Sequence, residues 1–62
     1  MRRIFLPVKS LGKTKLIGCM NALTGFGFVP VSYDGVQLVF GKECDADEWY
    51  GVYIALRDRF GL

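Results

Sequence analysis

The chain has no histidine and only two cysteines among its 62 residues. Without histidine it lacks the side chain that most often carries protons near neutral pH. Serine–histidine and cysteine–histidine chemistry are therefore excluded. Cys19 and Cys44 are too few for a disulfide framework or a complete zinc site, so any metal centre would need both thiolates plus carboxylates. No nucleophile–base pair and no pair of catalytic carboxylates stands out, and the chain is read as non-enzymatic, without cofactor or metal. Arg2 and Arg3 imitate the charged start of a leader, but the apolar stretch Ile4–Val8 stops at Lys9. With its thiols read as free, the expected location is cytoplasmic.

Acid is also missing from the first 33 residues, which carry Arg2, Arg3, Lys9, Lys13 and Lys15. The remainder holds three cations against six acids, and the net charge is +2. A basic first half can attract nucleic acid, an anionic membrane or an acidic protein surface. The uncharged stretch Leu16–Tyr33 approaches the length of a membrane span. Asn21, Thr24, Pro30 and three glycines interrupt it, and its pattern changes from helical to alternating. A membrane role is accordingly not expected.

What is present is a globular composition, 52% hydrophobic and 23% charged, in a chain with room for one domain, residues 1–62. A strand is predicted from about Arg3 to Val8, with Pro7 marking an edge position or an amide turned away from its neighbour. Ser10 offers a helix N-cap, and Leu16, Cys19, Met20 and Leu23 recur at helical spacing up to a stop at Gly25. Gly18 weakens that helix by roughly 1 kcal/mol relative to alanine, which suggests packing or a close backbone approach. Asp34-Gly35 signals a two-residue hairpin turn joining Phe26–Tyr33 to Val36–Lys42. Asp45 and Glu48 have capping-box spacing, with Cys44 and Trp49 as a hydrophobic staple. Trp49, Val52, Tyr53, Leu56 and Phe60 form one apolar stripe before Gly61. The result is an α+β fold of order βαββα, a three-stranded sheet of order 1-3-2 with both helices on one face.

Alternation about an Asp34-Gly35 turn puts Val29, Val31, Tyr33, Val36, Leu38 and Phe40 toward the core. By that parity Arg3, Phe5, Phe26, Phe28, Pro30, Ser32, Gln37 and Val39 populate the uncovered sheet face. An apolar patch of this kind marks a binding surface, and Phe5, Phe26, Phe28, Arg3 and Val39 are its candidate contacts.

Thr24-Gly25-Phe26-Gly27-Phe28-Val29 resembles the RNP1 core of RNA-recognition (RRM) domains, and Ile4-Phe5-Leu6 is similar to the start of their RNP2 strand. The resemblance implies bases stacked on Phe5, Phe26 and Phe28. It covers about a dozen residues. Thr24 stands in place of a basic residue, Val31 in place of an aromatic one, and the motif falls on the second strand of a sheet with no fourth. The family is not assigned.

Gly12-Lys13-Thr14 is similar to the end of a P-loop, but Pro7 occupies the place of its first glycine. Lys13 and Thr14, with Arg2 and Lys9, remain candidate phosphate contacts. The acids Glu43, Asp45, Asp47 and Glu48 are explained by helix capping and by the helix dipole. Tyr50 and Ile54, beside Arg57, form a smaller apolar pair on the back of the last helix.

Two function classes follow. The first is a small non-enzymatic module, a regulator or inhibitor of the phage-accessory type, that docks on a larger protein through the sheet face. The second is a single-stranded RNA- or DNA-binding domain that uses the phenylalanines as a stacking platform. A homodimer would cover the same face.

Overall fold

In the computed structural model, which describes Met1–Leu62, five elements follow the predicted order. They are β1 (Arg2–Pro7), α1 (Val8–Gly25), β2 (Val29–Tyr33), β3 (Gln37–Lys42) and α2 (Ala46–Phe60). The sheet is antiparallel throughout with order β1-β3-β2, as expected. Ile4 and Leu6 of β1 and Phe40 of β3 pack against Cys19 and Leu23 of α1 and Val52 and Leu56 of α2. Both helices therefore lie on one side of the sheet.

The second helix forms as its local signals dictate. Asp45 caps it by accepting the Glu48 N–H at 2.8 Å, and Gly61, at φ +75°, closes it with its N–H on the Arg57 carbonyl. Glu48 does not complete the capping box. Its carboxylate pairs with Lys42 instead, whose Nζ also donates to the Phe26 carbonyl at 2.8 Å. One lysine thereby ties the end of α1 to the start of α2.

The start of α1 differs from expectation. Helical backbone begins directly after Pro7, Ser10 makes no cap, and Gly12 at φ +77° breaks the helix into a short first turn and a longer second part. The end differs more. Gly27, not Gly25, is the left-handed residue, at φ +89°. Its N–H bonds the Thr24 carbonyl at 3.0 Å, and the Phe28 N–H bonds the Leu23 carbonyl at 2.9 Å. This pair of bonds is a Schellman motif, which brings the residue after the glycine against the helix's last turn. Phe28 accordingly packs with Leu23 in the core and is 1% exposed.

The hairpin turn is also displaced by one residue. Tyr33 pairs with Leu38, leaving Gly35 and Val36 as the two turn residues. Gly35 has φ +90° and Val36 a negative φ, the combination of a type II′ turn. Asp34 holds the turn with its side chain, Oδ1 accepting from the Val36 N–H at 2.8 Å and the Gln37 N–H at 2.7 Å. A β-bulge between Pro30 and Ser32 then shifts the register of β2.

Backbone direction follows from the same pairing. The Val8 N–H donates to Val36 and the Asp34 N–H donates to Gln37. Because successive residues aim their backbone groups to opposite sides, Ile4 and Leu6 bond β3, while Arg3, Phe5 and Pro7 face outward. The Trp49 indole N–H, donated to the outward Arg3 carbonyl at 2.8 Å, agrees with that assignment. On β2, Pro30 and Tyr33 turn outward. Each sheet edge thus carries a proline where a free N–H would otherwise stand.

Candidate interaction surface

The sheet face away from the helices is uncovered, but its occupants are only partly those expected. Arg3 and Phe5 of β1, Gln37 and Val39 of β3 and Ser32 of β2 lie there, following the register. Phe28 does not. Its place in the Schellman motif buries it on the helix side. Phe26 is exposed, but it caps α1 outside the strands. Pro30, opposite Phe40, belongs to the other side of the sheet. The bulge returns the loss in another form, because Val29, opposite Gly41, turns to the open face and is 54% exposed. Val31, expected in the core, also lies over the open side of Gly41. A Cβ built on Gly41 would meet the Met1 sulfur at 2.5 Å and the Val31 Cγ1 at 3.4 Å.

The face is therefore aliphatic rather than aromatic. Val39 sits at its centre and is only 7% exposed, although no helix covers it. Its neighbours across the strands are Phe5, 52% exposed, and Ser32. Met1 and Val31 extend the patch toward Gly41. Sequence reasoning missed Met1, Val29 and Val31. Two signals bear on them: the glycine at position 41, which leaves room on the open face, and the Val29-Pro30-Val31 run, where proline argues against a regular interior strand.

Along the outer edge of β1, where this face meets α2, a shallow cleft of about 330 Å³ is lined by Met1, Arg2, Arg3, Phe5 and Trp49. Its aromatic wall is held in place: Trp49 is fixed by its bond to Arg3 and stacked on Tyr53, with ring centroids 5.5 Å apart and planes within 3°. Neither arginine makes an ion pair, since the two salt bridges of the molecule are Met1 amino group–Glu43, at 3.5 Å, and Lys42–Glu48.

The four candidate phosphate contacts do not come together. Arg2 opens β1, whereas Lys9, Lys13 and Thr14 follow its far end, about 17 Å away along a strand of this length. Lys13 and Thr14 begin the second part of α1, after the break at Gly12, and both are exposed. The acids at residues 43–48 are dispersed as well, to the Met1 amino group, the α2 cap and Lys42.

Of the thiols, Cys19 is buried in the core and burial raises its pKa, with the charge of Lys15 opposing, while Cys44 is half-buried. No helix is long and apolar enough to cross a membrane. The fold and its bare face define a small two-layer α+β domain with one open sheet surface. Compared with known proteins, the chain matches no family model, no curated protein and no solved structure.

Proposed function

We propose that this chain is a non-enzymatic binding module that docks on a larger protein through its open sheet face. The observation that carries the reading is the contiguous apolar set Met1, Phe5, Val29, Val31 and Val39, four of them 40–55% exposed. Contiguous exposed apolar surface on so small a domain marks a contact site. The prolines at both edges favour contact through the face over extension of the sheet by another strand. Phe5 and Val31 are the anchors of the docked state, and Arg3 steers association. Acting by occupying a surface, such a module serves as a regulator or inhibitor.

The stacking platform for single-stranded nucleic acid loses its support, because one ring of the three, Phe5, remains on the sheet face. Affinity capture with the parent chain and with a Phe5→Glu, Val31→Glu variant, followed by reassembly from purified components, tests the proposal. A partner that binds the parent directly and fails to bind the folded variant supports it. A stable homodimer closed over this face overturns it, as does single-stranded RNA or DNA binding lost in Phe5→Ala.

A further inference from the structure

The cleft lined by Met1, Arg2, Arg3, Phe5 and Trp49 has a sign as well as a shape. Two guanidinium groups line it, and no carboxylate does. The nearest acid, Glu43, is held at its rim by the Met1 amino group at 3.5 Å, and Glu48 is drawn off to Lys42. Phe5 and the indole of Trp49, anchored on the Arg3 carbonyl, give the cleft an apolar flank. Arginine in such a setting matches a carboxylate, which its planar fork can hold through two hydrogen bonds.

We infer that this cleft receives an aspartate or glutamate carboxylate of an acidic segment on the partner protein, whose apolar side chains lie along Phe5, Val39 and Val31. The inference rests on the protein-docking reading above and specifies its partner. Charge argues against the other occupants. A second copy related by a two-fold axis would bring an identical face with its own arginines, and the one acid at its rim, Glu43, is already paired with the Met1 amino group. A nucleic-acid strand needs cations that track its backbone. Lys9, Lys13 and Lys15 instead belong to α1, beyond the far end of β1.

Trp49 is the single tryptophan and lines the cleft, so its fluorescence reports on a change there. The ¹⁵N-labelled chain is titrated with a capped peptide alternating glutamate and leucine, with its lysine–leucine counterpart, and with a short oligouridylate. The glutamate peptide is expected to move the Arg2–Phe5 amides and the Trp49 emission. In an Arg2→Gln, Arg3→Gln variant its affinity falls about tenfold, and added salt weakens it further in the parent. Both arginines are exposed, and far-UV circular dichroism checks that the variant keeps its fold.

Equal responses to the two peptides, or a response unchanged in the double variant, overturn the acidic partner and leave docking on the face intact. No response to the glutamate peptide at millimolar concentration also overturns the inference. Tighter binding of oligouridylate at these residues overturns both readings, and a concentration-dependent dimer that occludes the cleft does the same.

Discussion

Phe5 and Phe28 have the same side chain and opposite circumstances. Phe28 follows the left-handed Gly27 and is fully enclosed by the core, while Phe5 stands half-exposed on the open sheet face. Truncating a buried phenylalanine costs about 3–5 kcal/mol, most of the stability expected of a domain this small. Phe28→Ala is therefore expected to unfold the chain or bring it close to unfolding, whereas Phe5→Ala changes stability by less than about 1 kcal/mol. Urea denaturation of both variants decides the matter, and the reverse ranking would contradict the enclosure of Phe28 and the exposure of Phe5. Asp34 offers a second test at this scale. Hydrogen bonds from the Gln37 and Val36 amides hold its carboxyl below the ordinary value. A carboxyl lowered on folding stabilises the native state above its unfolded pKa and loses that contribution as pH falls through the folded one. Asp34→Asn keeps an acceptor oxygen without the charge. The parent is thus expected to exceed the variant in stability by a constant margin above about pH 5, and the margin shrinks below about pH 4. A margin that stays flat across acid unfolding would show that the turn does not depend on the charge.

At the scale of elements, legibility followed the range of the forces involved. Strand order, both helices and the stripe of α2 were readable because Asp45, Gly61 and the apolar spacing act locally. The end of α1 was not, since Gly25 and Gly27 are both competent to stop a helix. The choice between them is made by the contact of Phe28 with Leu23, which exists only in the packed state. The turn was misplaced by one residue because Asp34 bonds the turn amides with its side chain instead of occupying the turn itself. The bulge at Val31 is marked in the sequence only by Pro30 beside it, which signals an irregular strand without fixing its register, and it decides which valines face out. Gly18, by contrast, signals packing or a close approach from the sequence alone, and the structure shows a side chain packed on it. A Cβ there would lie 2.6 Å from the Phe60 ring, so α1 and α2 meet at this point. Gly18→Ala gains about 1 kcal/mol of helix propensity and collides with that ring. The expected gain appears only when Phe60→Ala is present, giving a coupling of at least about 0.5 kcal/mol in a double-mutant cycle. Additive effects of the two substitutions would mean that the ring does not rest on Gly18.

For the whole molecule, the sheet has two edges and one bare face, and these pose different risks. β2 is exposed along its whole length and rich in β-branched residues, a combination that invites pairing with another chain. Pro30 removes its donor at an outward-facing position. On β1 the same office falls to Pro7, with the Trp49 indole occupying the Arg3 carbonyl as well. The protection on β1 is thus double, and on β2 it rests on the proline and the neighbouring bulge. Replacing Pro30 with valine restores the donor within the run Val29–Ser32 and raises its strand propensity. Relative to the parent, Pro30→Val is expected to show a mass by light scattering that climbs with concentration, accompanied by added β-sheet signal in circular dichroism. Pro7→Val is expected to do so less, because the indole still blocks its edge. If both variants match the parent, the prolines do not guard the edges, and strand addition becomes as open to a partner as the face. Stronger association in Pro7→Val than in Pro30→Val would instead place the vulnerable edge beside the cleft, where an acidic strand could bind by extending β1.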